Sequence, residues 1–138
     1  MIVDQGIFLE YYLDDEYADA CEQILSDLED GSIDGHLTDF HLHGICAIFN
    51  TYFTDRAPDE IQDLVYSVAA AKGLSLYRLS LGDKIEICDL QRTTDLDFDD
   101  ATLVHVASVL EEETIVSLDR HLKHDGEFDY ERLHPREY

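Results

Sequence analysis

Positive charge is what this sequence has least of. Against 32 Asp and Glu there are only 9 Lys and Arg, with lysine confined to Lys72, Lys84 and Lys123, and the formal net charge is −23. No stretch interleaves basic and aromatic residues, so broad electrostatic attraction to a nucleic acid is excluded as the basis of function. Cysteine is equally sparse. Cys21, Cys46 and Cys88 are far apart and odd in number, with no CxxC or Cys/His spacing, which argues against a disulfide framework and a structural zinc site. Each falls in an apolar helical pattern, so all three are expected to be reduced core residues. No GxGxxG, P-loop or GxSxG motif is present. No apolar run reaches membrane-spanning length and the first apolar run is too short for a secretory signal. The expectation is a cytoplasmic protein with no membrane partner.

There is also no internal repeat, no low-complexity tract and no sign of a second domain. Residues 1–138 read as one domain, long enough for a real core. Acidic excess alone can mark disorder. Here 45% of residues are hydrophobic and they recur at regular spacing, so the chain is read as folded.

The acids are placed with structure around them. The stretch Leu96 to Leu122, LDFDDATLVHVASVLEEETIVSLDRHL, carries two elements. Asp97 sits where a helix N-cap belongs, Asp99 and Asp100 occupy the first turn, and Leu103, Val104, Ala107 and Leu110 follow at helical spacing from about Phe98. Thr114 to Leu118 is then a short β-branched run ended by Asp119, which reads as a buried strand with a carboxylate at its exit. Met1-Ile2-Val3 ends in Asp4 in the same way, and His36-Leu37-Thr38 ends in Asp39. In a parallel sheet with helical crossovers, strand carboxyl ends and helix amino ends share one edge, where ligands collect. Asp4, Asp100 and Asp119 are expected to converge there, with Asp39 a fourth acid. The competing reading is that these aspartates only cap helices and end strands, and for Asp39 and Asp97 singly it is the favoured one.

The rest of the chain alternates in the same style. Helices are expected over Gln5 to Leu13, from Asp14-Asp15 to a stop at Gly31, over Phe40 to Phe53, from Pro58 to Gly73, and from Leu81 through Ile85 and Cys88. Strands are expected at Leu74 to Leu79 and, on an edge, at Tyr130 to His134, with Arg120 to Asp129 irregular. Phe40, Leu42, Ile45, Ile48, Phe49, Tyr52 and Phe53 cover most of a helix circumference, so that helix is central to the core or part of a subunit contact, and a homodimer is expected. His41 and His43 at its start could ligate a metal, bind an anion or hydrogen-bond at the helix end, the last being favoured.

Met1-Ile2-Val3-Asp4, Leu96-Asp97-Phe98-Asp99-Asp100-Ala101 and Ile115-Val116-Ser117-Leu118-Asp119 together resemble a PIN domain, and the likeness covers nearly the whole chain. The resemblance implies an α/β fold, three layers α/β/α with a central parallel sheet of four to five strands. It also implies a metal-dependent ribonuclease of the VapC toxin type, with RNA as substrate and an antitoxin protein as partner. By that likeness Asp4, Asp100 and Asp119 are the catalytic and metal-binding acids, Mg²⁺ or Mn²⁺ is the cofactor, and Ser117 is the small hydroxyl residue beside the last acid. Arg120 or a nearby histidine would contact phosphate. Two departures stand out. Gln5 and Gly6 replace the Thr and Asn or Ser that often follow the first aspartate, and Gly44 falls where the family usually has a helical Glu, leaving Asp39 or His43 as substitutes. The alternative function is a catalytically silent PIN-like module that binds RNA or protein.

A net charge of this size is self-repelling, and most of it lies on the expected outer helix faces, so the chain reads as a salt-adapted protein whose compact state needs screening. Near 1 M salt the Debye length is only about 3 Å. The melting temperature followed by circular dichroism is therefore expected to fall as salt is dialysed from molar to millimolar, and an unchanged value would refute this reading.

Overall fold

The parallel sheet has five strands in the order β3-β2-β1-β4-β5. The strands are β1 (Ile2–Val3), β2 (Gly35–Thr38), β3 (Leu74–Tyr77), β4 (Thr114–Val116) and β5 (Glu131–Leu133). The structure is a computed structural model and describes residues 1–122 and 129–138. The crossovers are helical: α1 (Gln5–Tyr12), α2 (Ala18–Asp30), α3 (Asp39–Tyr52), α4 (Ala57–Ala70), α5 (Leu81–Thr93) and α6 (Phe98–Leu110), with 3₁₀ turns at Thr54–Arg56 and Pro135–Glu137. This is the PIN-like three-layer architecture expected from the sequence, with five strands.

The layers follow from the two-residue period of a strand, which sends successive side chains to opposite faces. Ile2 and Ile115 are register partners and enter one core with Ala101, Val104, Ala107 and Leu122. Val3 and Val116, the next pair along, enter the other with Ile7, Ile24, Leu37, Ile45 and Phe49. Neither face of the central pair meets solvent, which is why β1 and β4 are continuous apolar runs.

Helix α6 is buried along Asp100 to Ala107, a stretch that includes Thr102 and His105. A helix buried on all sides must satisfy its polar groups internally. Thr102 Oγ1 donates to the Phe98 carbonyl at 2.7 Å, and His105 Nε2 meets Asp83 Oδ1 of α5 at 2.9 Å. The Tyr77 hydroxyl also donates to Asp83 Oδ1, at 3.2 Å. The His105 contact holds the Asp83 carboxyl well below the usual carboxylate range, so this pair fastens α5 onto α6.

That fastening reverses the expected face of α5. Leu81 and Ile85 are 81% and 65% exposed and Cys88 is exposed, while Ile87 is fully buried. Ser80 caps the helix with a reciprocal Ser80–Asp83 box, and the inward pull on Asp83 turns Ile87 toward the core. The cysteines are thus not three core residues: Cys21 is buried, Cys46 half-buried and Cys88 exposed, all as free thiols. Burial pushes the Cys21 thiol up to about 12.

Other boundaries shift for local reasons. α2 starts at Ala18 rather than Asp14, because Asp14 takes a left-handed conformation, φ 55°, that breaks the helical path. It stops as expected at Gly31, φ 82°, whose amide bonds the Asp27 carbonyl. α4 ends at Ala70, before Gly73: the Lys72 and Gly73 amides bond the Glu29 and Leu28 carbonyls instead, and a Cβ on Gly73 would come within 1.9 Å of the Ile33 carbonyl. β4 ends two residues early, at Val116, although the Ser117 amide still bonds the Leu133 carbonyl of β5 at 3.1 Å. The expected edge strand near Tyr130 is β5, parallel to β4. The irregular connection expected over Arg120 to Asp129 falls largely on residues 123–128, outside the described residues. No helix among the described residues is long and apolar enough to cross a membrane.

Candidate functional site

Strand order reverses beside β1, so the carboxyl ends of β1 and β4 open the crevice where ligands of doubly wound sheets collect. Asp4 follows β1, Ser117 to Asp119 follow β4, and the amino end of α6 faces them. The Ser117 hydroxyl donates to Asp4 Oδ2 at 2.5 Å and accepts the Asp119 amide at 3.0 Å. One buried oxygen therefore fixes both acids. Asp119 Oδ1 in turn accepts the His121 amide at 2.7 Å and lies 3.1 Å from His121 Nδ1.

Asp97 caps α6, its Oδ1 accepting the Asp100 amide at 2.9 Å, and this places Asp100 on the inward side of the first turn. Asp100 is only 8% exposed. Burial, and then the nearby carboxylates of Asp119, Asp97 and Asp4, push its carboxyl up to about 7. Asp99 is raised for the same reasons, burial first and Asp97 next, with Asp4 also contributing. Burial likewise raises Asp4, against the lowering pull of the Ser117 hydroxyl.

The auxiliary candidates separate. Asp97 and Ser117 lie in the cluster as just described. Asp39 is the first residue of α3, capped by Thr38, and its Oδ1 accepts the Leu79 amide at 3.0 Å, which ties down the loop after β3. His43 is exposed, about 200° around α3 from the buried His41. Arg120 is exposed and makes no hydrogen bond or ion pair among the described residues.

Asp99, His121 and Arg132, which the sequence did not single out for the site, stand at or beside it, and His41, weighed from the sequence as a metal ligand, an anion contact or a helix-end hydrogen bond, lies near Asp97 and Asp99. Asp99 joins the acids. His121 backs Asp119. Arg132 of β5 reaches across to donate to the Ser117 carbonyl at 3.1 Å. His41 is wholly buried, and burial drives its imidazole down to about 4. Its Nδ1 lies 2.6 Å from Thr38 Oγ1, which also accepts the His41 amide at 3.0 Å, so the favoured reading of a hydrogen bond at the helix start describes one ring nitrogen. A single aspartate beyond the cap, or a histidine three residues after a capping threonine, was the only signal available.

The two departures from the family pattern are coupled. A Cβ built on Gly44 would lie 2.2 Å from Gln5 Oε1, so the Gln5 amide occupies the space a longer side chain at position 44 would need. Gly6 packs against Asp4 itself, its Cβ position 3.3 Å from Asp4 Oδ2.

The donor chemistry fits a hard divalent cation: carboxylate oxygens crowd one edge, and their repulsion is expressed in the raised Asp100. Among the described residues, no three His, Cys, Asp or Glu side chains stand close enough together to form a coordination shell, so the expected convergence of Asp4, Asp100 and Asp119 stops short of one.

This fold is a VapC-like PIN fold. Mycobacterium tuberculosis VapC20, described as a sarcin-ricin loop cleaving toxin, superposes with a TM-score of 0.71 over 92% of this chain and 95% of that one, at 11% identity. No family model and no curated protein sequence matches the chain.

The raised Asp100 sets a pH dependence. Between about pH 4 and 7 the folded carboxyl keeps a proton that the unfolded chain gives up, so the group lowers stability as pH rises through that window and adds no further change above it. In EDTA and molar salt, the melting temperature of Asp100→Asn relative to the native chain is expected to climb by several degrees from pH 4 to 7 and then level, one kcal/mol being worth about 4 °C at this size. A difference independent of pH would show that Asp100 ionises normally.

Proposed function

We propose that the chain is a metal-dependent endoribonuclease of the PIN/VapC toxin type that hydrolyses RNA phosphodiester bonds, with Asp4, Asp100 and Asp119 as its metal-binding acids. The observation that carries this reading is the crowding at the sheet's crossover crevice, where burial and the nearby Asp119 raise the Asp100 and Asp4 carboxyls and Ser117 is hydrogen-bonded to Asp4 and Asp119. When bound there, Mg²⁺ or Mn²⁺ supplies a lowered water pKa and charge stabilisation at the phosphate. The chain supplies the rest. Ser117 holds Asp4 and Asp119 in fixed relation, Asp97 positions Asp100 through its amide, and Arg132 braces the β4 exit.

With a charge of −23, the protein repels RNA at a distance, so recognition is local and shielded by salt. Likeness to a sarcin-ricin loop cleaving toxin makes a structured ribosomal RNA loop the first substrate to assay, beside single-stranded RNA. An antitoxin protein is a partner on the same reading. Cleavage is expected in molar salt with Mn²⁺ or Mg²⁺, is stopped by EDTA, and drops at least about a hundredfold in Asp100→Asn, equivalent to about 2.7 kcal/mol. Gly44→Glu must displace the Gln5 amide, so a gain in rate is expected only when Gln5 is shortened to Ser as well. Cleavage that survives both EDTA and Asp100→Asn points to another mechanism. A folded protein that cuts neither RNA is a silent binding module.

Pairing of two copies is part of the proposal. On α3, Ile45 and Phe49 are buried, whereas Ile48 and Tyr52, one turn apart, are 38% and 59% exposed. That stripe gives a second copy an apolar surface. Light scattering in molar salt should return a dimer mass for the native chain and a monomer mass for Tyr52→Glu; a native monomer would end this part of the reading.

A further inference from the structure

We propose that Arg78, on the loop leaving β3, binds a backbone phosphate of the RNA that flanks the one being cut, so that the strand lies across the sheet edge from β4 toward β3. This rests on the nuclease reading above and adds to it a substrate contact outside the acid cluster.

In a chain with 32 acids against 9 Lys and Arg, cations are expected to find partners. Four of the six arginines do: Arg56 pairs with Glu60, Arg92 with Asp89 and Arg136 with Glu16, while Arg132 donates to the Ser117 carbonyl. Among the described residues, Arg78 and Arg120 are the two exposed arginines with no hydrogen bond, ion pair or ring contact. Arg78 directly follows β3 and Arg120 lies just beyond β4, so both belong to the carboxyl edge of the sheet, on opposite sides of β1 and Asp4.

Strand register sets the height of Arg78. Val3 pairs with Val116, Ile2 with His36 and Thr38 with Tyr77, which puts Asp4, Ser117, Thr38 and Tyr77 on one level and Arg78 one residue above it. Two strand spacings, about 10 Å, separate its backbone from that of Asp4. That distance suits a flanking phosphate rather than the scissile one.

The loop around Arg78 is tied down on both sides. The Tyr77 hydroxyl and the Ser80 amide donate to Asp83 at 3.2 and 2.7 Å, the Leu79 amide donates to Asp39 Oδ1 at 3.0 Å, and the Leu79 carbonyl accepts Lys84 Nζ at 3.1 Å. Asp39, level with Arg78 at the exit of the neighbouring strand, therefore holds a backbone amide instead of the guanidinium. No acid occurs in the sequence between Asp63 and Asp83, so the approach along β3 is locally free of the repulsion that surrounds the rest of the chain. A guanidinium keeps its charge throughout the working pH range, and its planar fork matches two phosphate oxygens. A rigid loop presenting one unpaired arginine beside the acid site is fitted to an anion of that shape.

The test follows single-stranded RNA by fluorescence anisotropy in Mg²⁺ and a series of KCl concentrations, with the full chain carrying Asp100→Asn to stop cleavage. Adding Arg78→Gln is expected to raise Kd about tenfold and to lower the slope of log Kd against log salt by about 0.7, the loss of one phosphate contact. Arg78→Lys should keep the slope and lose part of the affinity, and Arg56→Gln, which removes an ion-paired charge, should change neither. In the cleavage assay with Asp100 intact, Arg78→Gln should raise KM and leave kcat nearly unchanged. Its melting temperature should match that of the native chain, since Arg78 makes no contact to lose. An unchanged Kd, slope and KM in Arg78→Gln, with RNA still bound and cut, overturns the proposal and leaves the nuclease reading standing. If the Asp100→Asn chain binds no RNA, KM decides alone. A folded native chain that neither binds nor cuts RNA removes the nuclease reading and this one with it.

Discussion

Side-by-side parallel pairing of β1 with β4 is the constraint on which the rest of the molecule depends. Two short apolar strands, in register through Ile2 with Ile115 and Val3 with Val116, discharge their chains at the same height on the same edge. Asp4 and Ser117 are thereby brought within hydrogen-bond distance although 113 residues separate them. Neither strand is long enough to be stable alone. Their pairing persists because alternating side chains feed two separate cores, one under α5 and α6 and one under α1 to α4.

The edge so formed is electrostatically unfavourable. Burying Asp100 beside Asp119, Asp97 and Asp4 penalises its ionised form, and the surrounding α6 offers apolar packing in place of countercharge. Structural need does not require this, since the capping work is done by Asp97 alone. Proteins keep such perturbed groups where ligands or chemistry repay the cost. The strong outer negative charge is a different matter, dispersed over helix faces.

At 11% identity over nearly full length, the likeness to VapC20 is one of backbone and layer order, and little side-chain chemistry transfers with it. At the crevice this chain carries Gln5 packed over Gly44, Gly6 against Asp4, and a buried histidine three residues after a capping threonine. Of these, Gln5 and Gly44 fit one another directly, the amide filling the space that a side chain at position 44 would need.

Signals that act within a few residues were legible in the sequence by itself. Asp97 as a cap, Gly31 as a stop, the apolar runs leading to Asp4 and Asp119, and the alternation of strands with helices all depend on local backbone preference and periodicity, and they determined the layered architecture. Tertiary structure decided whatever required knowing which distant partner a side chain meets. The buried side of α5 is set by His105 reaching Asp83, against an apolar spacing that favoured Leu81, Ile85 and Cys88. Asp39 serves Leu79 across 40 residues, and Gln5 meets Gly44 only because α1 and α3 pack together. His41 and His43 are nearly adjacent in sequence, yet the first is buried beside the start of α6, where Phe40 meets Phe98, and the second is left in solvent. Periodicity gives the angle between two residues on a helix, but the direction of that helix in the fold is set by contacts no local pattern contains.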